Sequence, residues 1–179
     1  GIGFGICKVL AGEGAVPFII GRSKEDNITA VNEITKAGMQ AKYFTGELTN
    51  PAECENSIKR VIAECGRIDG VVNNAGVNDG VGLESGNYDS FVASLHKNLI
   101  HYYLIVHYAL PALKKSKGAI VNIGSKTAET GQGNTSAYAA SNGGRNALTR
   151  EWAVELLPYS IRVNAVIVAE CYTPLYETW

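Results

Sequence analysis

The stretch Gly70-Val71-Val72-Asn73-Asn74-Ala75-Gly76 decides the fold, and the rest of the chain is best read outward from it. Gly70 to Asn73 is a short apolar run of strand length. Upstream, Asn50-Pro51-Ala52-Glu53 starts a helix with a side-chain cap, Pro at the first position and an acid in the first turn. Ile58, Val61 and Ile62 give that helix its apolar stripe, and Gly66 stops it. Downstream, Asn87 to Lys115 reads as one long helix, Ala119 to Ile123 as a strand, Ala137 to Leu157 as a helix and Ile161 to Val168 as a strand. Toward the N-terminus lie a strand at Ala41 to Thr45 and a helix with Ile28, Val31 and Ile34 on its buried stripe. Ser23 and Asp26 cap that helix and Gly38 ends it. Before it come a strand at Val16 to Ile20 and a helix from Gly3 to Gly12 with Ile6, Val9 and Leu10 on one side. Strands and helices in alternation, with continuously apolar strands, imply a parallel sheet covered on both faces. Binding sites in such sheets lie at the carboxyl ends of the strands.

Composition narrows the function. The chain has 179 residues, of which 46% are hydrophobic, enough for the core of one domain. Sixteen basic residues balance seventeen acidic ones, for a net charge of −1. That argues against a non-specific nucleic-acid or membrane surface, because neither sign dominates. Cys7, Cys54, Cys65 and Cys171 form no C-x-x-C pair and read as free thiols of a reducing compartment, so a cytoplasmic protein is expected. No apolar run is long enough to span a bilayer and no secretory signal is recognisable. His96, His101 and His107 are spaced by five and six residues, not by the four that pairs metal ligands on a helix, so packing roles and no metal are expected. No serine lies in a Gly-x-Ser-x-Gly elbow, which argues against a serine hydrolase.

Polar landmarks follow the strands in a fixed order. Gly1-Ile2-Gly3-Phe4-Gly5 opens a helix, where glycines let a pyrophosphate approach the N-terminal N–H groups. Asn73 to Gly76 follow one strand, and Ser125 closes another in Val121-Asn122-Ile123-Gly124-Ser125. Tyr138 comes thirteen residues later at a helix start, Asn98 lies in the long helix, and Arg162-Val163-Asn164 begins the last strand. In this register the chain resembles the short-chain dehydrogenase/reductase family from Gly1 to its end. The resemblance implies a doubly wound Rossmann-type sheet. It also implies one dinucleotide-binding domain over residues 1–179, lacking the family's first strand and its C-terminal end. That first strand would lie mid-sheet, so its loss would leave two strand edges.

The resemblance also assigns roles. Gly1, Ile2 and Gly3 fall on the cofactor loop, and Asn74, Ala75 and Gly76 on the segment beside the adenosine ribose. Ser125 matches the hydroxyl that polarises the substrate oxygen, Tyr138 the acid/base, Asn98 the anchor of a relay water, and Thr173 the threonine that holds the nicotinamide amide. Hydride transfer to a carbonyl leaves an alkoxide that needs a proton. A phenol ionises near pH 10, and a neighbouring cation lowers that by roughly 1–3 units. The family places a Lys four residues after the Tyr, and this chain has Asn142 there, able to bond a ribose hydroxyl but uncharged. Val168-Ala169 also departs from the Pro-Gly of many members.

Cofactor and substrate expectations follow. Gly21 stands where an acid would hold the ribose hydroxyls of NAD, and Arg22 is next. An Arg there suits a 2′-phosphate, so NADP is expected with NAD possible; the alternative is a surface residue closing a turn. Glu47, followed by Leu48, replaces the usual acid near the adenine. Loops 77–86, 126–136 and 170–179 should line the substrate pocket, and the second is strongly polar, which favours a hydroxylated small molecule. Residues 125–138, 150–153 and 170–176 are similar to bacterial sugar dehydrogenases of the L-fucose type. Tyr102, Tyr103 and Tyr108 mark either a homo-oligomer interface or a contact inside the domain. Two functions stand at this point: a sugar or polyol oxidoreductase, and an impaired relative, missing its Lys, that serves as a nucleotide-binding or assembly subunit.

Overall fold

A computed structural model describes residues 1–173. The order is α1 (Ile2–Gly12), β1 (Phe18–Gly21), α2 (Lys24–Lys36), β2 (Lys42–Thr45), α3 (Pro51–Cys65) and β3 (Gly70–Asn73). It continues with α4 (Tyr88–Leu95), a π turn (His96–Ile100), α5 (His101–Ser116), β4 (Ala119–Ser125), α6 (Thr127–Thr130), α7 (Ser136–Glu155), a 3₁₀ turn (Leu157–Tyr159) and β5 (Arg162–Val168). Local chemistry sets these limits. The Asn50 side chain accepts the Ala52 N–H at 3.0 Å ahead of Pro51, and α3 leaves through Gly66 at φ +74°. Ser23 Oγ accepts the Asp26 N–H at 3.2 Å to open α2. Asn87 and Ser90 close a reciprocal capping box on α4.

All strand pairs are parallel and fall in two sheets, β1–β2 and β3–β4–β5. No strand among the described residues joins them. The register sets Asn73 beside Asn122 and Ser125 beside Val168, so the polar ends of the strands share one rim. Under that rim the core unites Ile58 and Val61 of α3, Ile105, Ala109 and Leu113 of α5, Val71, Ile120 and Val163 of the strands, and Trp152 and Leu156. Each Val, Leu or Ile side chain among them contributes roughly 1.5–3 kcal/mol when fully buried.

The structure refines four expectations. The long helix is broken by the π turn, which lengthens the backbone bonding by one residue and is invisible to apolar periodicity. The parallel α/β architecture stands, but among the described residues Val72 on β3 and Val166 and Ile167 on β5 are exposed. Val9 is 67% exposed, so the expected apolar stripe of α1 is not buried; α1 packs against α2. Tyr102 is fully buried and its hydroxyl donates to the Ile123 carbonyl at 3.2 Å, an intramolecular anchor and no subunit contact. Tyr103, half exposed, stacks on His107. No helix among the described residues is long and apolar enough to cross a membrane.

Candidate active site

A cleft of about 170 Å³ opens at the carboxyl ends of β1, β2 and β3. It gathers Arg22, Glu47, Leu48, Ala75 and Gly76 with Lys97 and His101 from the π turn and α5. Arg22 is exposed at its rim. Gly21, just before it, has no room for a side chain, because a Cβ would lie 2.8 Å from Asn27 Oδ1. Asn27 is held there by donating to the Gly21 carbonyl at 2.9 Å and to Thr45 Oγ1 at 3.4 Å. The Glu47 carboxylate accepts the Thr49 N–H at 3.1 Å and so closes its own loop. Cys54 braces that loop, its thiol bonded to the Leu48 carbonyl at 3.2 Å and pushed up to about 11 by burial. Gly1 caps α1 with no side-chain bond, which leaves the first N–H groups of the helix without intrahelical partners. Ile2 is half-buried, and a Cβ on Gly3 would lie 2.8 Å from Asn74 Nδ2, so the glycine turn rests directly on the segment after β3.

Behind the cleft lies a buried polar node. The π turn presents Asn98, whose Oδ1 accepts the Val77 N–H at 2.8 Å and whose Nδ2 donates to the Ser94 carbonyl at 3.0 Å. Its backbone carbonyl accepts Arg145 Nε at 2.6 Å. A relay water at Asn98 would have to share acceptors already in use. Arg145 also donates through Nη1 to the Ile123 carbonyl and to Asn142 Oδ1, each at 3.0 Å, and lies over the Tyr102 ring at 4.3 Å. Gly76 must be glycine beside it, since a Cβ there would come within 2.8 Å of both Arg145 Nη2 and Asn98 Oδ1. Asn142 is fully buried and donates to the Tyr138 carbonyl at 2.8 Å. Both ends of the Asn142 amide thus have partners inside the domain, the Tyr138 carbonyl and Arg145 Nη1.

Tyr138 is half-buried at the start of α7, and Ser125 is half-buried at the end of β4. Ser125 Oγ accepts from the Thr127 hydroxyl at 3.1 Å and the Thr127 N–H at 3.3 Å. Beneath them a buried chain runs from Asn73 Nδ2 to Asn122 Oδ1 and from Asn122 Nδ2 to Thr149 Oγ1, both at 2.9 Å. Thr149 in turn donates to the Arg145 carbonyl at 2.8 Å. Thr173 is half-buried in the loop after β5, and residues 174–179 of the expected third pocket loop lie outside the described residues. Sequence reasoning passed over Arg145, Asn122 and Lys97. The available signal for Arg145 was a charge on the helix face of Tyr138 and Asn142.

Burial also sets the proton affinities of this region. It pushes Tyr102 up to about 12 and holds His101 below the ordinary 6.5. Arg145 is lowered from 12.5, again by burial, yet a guanidinium stays charged at any physiological pH.

The whole chain, residues 1–179, matches the family described as short chain dehydrogenase. It is 29% identical over 178 residues to L-fucose dehydrogenase of Rattus norvegicus, covering 99% of this chain and 64% of that protein. Among solved structures, Cj0485 dehydrogenase superposes with a TM-score of 0.93 at 39% identity, over 100% of this chain and 68% of that one. A metagenomic short-chain oxidoreductase in complex with NADP superposes with a TM-score of 0.87 at 31% identity, over 97% and 78%. With the parallel strands, the residues at their carboxyl ends and a full-length family match all in register, the chain belongs to the short-chain dehydrogenase family.

Proposed function

We propose that the protein is an NADP-dependent oxidoreductase acting on a small polar alcohol or carbonyl of the sugar or polyol class. The observation that carries this reading is the cleft at the ends of β1, β2 and β3, which draws Arg22, Glu47, Leu48, Ala75 and Gly76 together from three separate loops. The residues fit a dinucleotide. Open N–H groups at the start of α1 suit a pyrophosphate, and exposed Arg22 suits a 2′-phosphate with no carboxylate at Gly21 to repel it. When bound, the nicotinamide supplies or accepts the hydride. The chain's own residues handle the proton and the oxygen. Ser125 Oγ accepts two bonds from Thr127, which leaves its hydrogen to donate to a substrate oxygen. The Tyr138 hydroxyl gives a proton to the forming alkoxide and becomes the phenolate; in the oxidation direction the phenolate takes the alcohol's proton. The polar loop over residues 126–136 and the sugar activity named for the rat relative support a hydroxylated substrate.

Steady-state rates with NADP⁺ and NAD⁺ across hexoses, polyols and cyclic alcohols test this. Hydroxylated substrates with NADP⁺ should be fastest, and Tyr138→Phe should lower kcat by roughly 10²–10⁴-fold with NADPH affinity kept. A preference for apolar alcohols, or an undiminished Tyr138→Phe variant, would sink it.

A further inference from the structure

Arg145 is a full charge only 3% exposed, and burying a charge is costly unless it is paired. Among the described residues no carboxylate pairs with it. Its partners are neutral: the carbonyls of Asn98 and Ile123, Asn142 Oδ1 and the face of Tyr102. A neutral donor could tie those elements together without the cost, so a charge at this position calls for a role that its field performs. Helical side chains slant toward the helix N-terminus. Arg145 therefore brings its head back to Asn142, three residues earlier, and Asn142 holds the carbonyl of Tyr138 one turn earlier again.

We infer that Arg145 is the fixed cation of this site, a positioning residue whose charge favours proton exchange at Tyr138 and whose bonds orient Asn98 and Asn142. Asn142 then acts as the neutral spacer between cation and tyrosine, and the reason to read the chain as impaired falls away. This rests on the oxidoreductase reading. The titratable and charged groups facing the node are Tyr138 on α7 and Tyr102 and His101 on α5. Lys97 and Glu47 line the adjoining cleft, Lys97 paired with Asp79 at 3.3 Å, and Glu129 is bonded to Asn146 at 2.6 Å. With His101 held low and Tyr102 pushed up to about 12, neither changes charge between about pH 7 and 10.

The test uses rates across pH and melting temperatures for Arg145→Met, Arg145→Lys, Asn142→Lys and the double variant Asn142→Lys/Arg145→Met. Arg145→Met should lower the oxidation rate at neutral pH by at least about tenfold and move its pH profile upward by about one unit or more. Arg145→Lys, which keeps the charge, should restore the position of the profile. Asn142→Lys sets two like charges side by side, so it should lower the melting temperature and give no gain in rate. The double variant should regain both, a coupling that shows as non-additive melting shifts. An Arg145→Met profile that is uniformly lower but unshifted would make Arg145 merely structural and overturn the inference. So would Asn142→Lys raising the rate tenfold with no loss of melting temperature. If the parent protein transfers no hydride at all, the proposed function fails. The melting cycle, read without substrate, still decides the Arg145–Asn142 coupling, and additive shifts there overturn the inference.

Discussion

Arg22 stands exposed at the end of β1, while Arg145 lies sealed beneath α7. Their surroundings give the same side chain opposite work. An exposed guanidinium is free to meet an incoming phosphate, and a charge-assisted bond of that kind is worth roughly 1.5–3 kcal/mol. Arg22→Ala should thus weaken NADPH binding by at least about tenfold, since 1.4 kcal/mol is a factor of ten. NADH binding should hardly change. Fluorescence titration of both cofactors separates the cases, and an equal loss for both would remove Arg22 from phosphate recognition. At this scale the sequence was readable where chemistry is local. Ser125, Tyr138 and Asn73 to Gly76 sit at fixed distances from strand ends, and the eye finds them. Arg145 was not readable, because its meaning comes from carbonyls 47 and 22 residues away, which only folding brings to it.

At the scale of the element, α7 buries a mainly polar stripe: Ser141, Asn142, Arg145 and Thr149 are all buried, beside apolar Ala137 and Trp152. Apolar periodicity gave the helix its existence and length but said nothing of this face, which is stabilised by specific bonds instead of by area. The Asn73–Asn122–Thr149 chain ties β3 and β4 to α7 in the same manner. Asn122→Leu keeps the branched heavy-atom shape but strands a donor on Asn73 and removes the bond that Thr149 accepts, leaving Thr149 only its bond to the Arg145 carbonyl. Each unsatisfied buried group costs about 1–3 kcal/mol, so urea unfolding should show a loss of roughly 2–4 kcal/mol. A loss below about 1 kcal/mol would mean that neighbouring groups replace the bonds. The π turn belongs to this scale too. It turns the carbonyls of His96 and Asn98 toward the side chains of His101 and Arg145, and no pattern of residue types announces such a turn.

For the whole molecule, parallel strands joined through helices were legible from alternation, and the placement of polar residues on one rim followed from it. The division into two sheets followed from the resemblance, which puts the family's first strand mid-sheet; the exposed side chains of β3 and β5 were not legible, because apolar strand composition looks the same whether or not a neighbour covers it. Acid sensitivity is also a property of the ensemble. His101 is 2% exposed, with its ring nitrogens 3.1 Å from the carbonyls of His96 and Ala75. Burial, aided by the charge of Arg145, outweighs those carbonyls and holds its pKa below 6.5. The folded chain then binds this proton less readily than the unfolded chain does. The stability from the neutral ring is complete above about pH 6.5 and is lost as pH falls through the lower folded value. Melting temperatures taken from about pH 7.5 down to 5 should decline, and His101→Gln should flatten part of that decline. An unchanged slope in the variant would assign the acid sensitivity to other groups.

The seating of Asn27 against Gly21 has a consequence for how this protein can drift. An acid at position 21 is one codon change away from glycine, yet it arrives where Asn27 Oδ1 already sits. A carboxylate there displaces the Asn27 side chain, and with it the tie that binds the end of β1 to Thr45 of β2, so the two positions change at each other's expense.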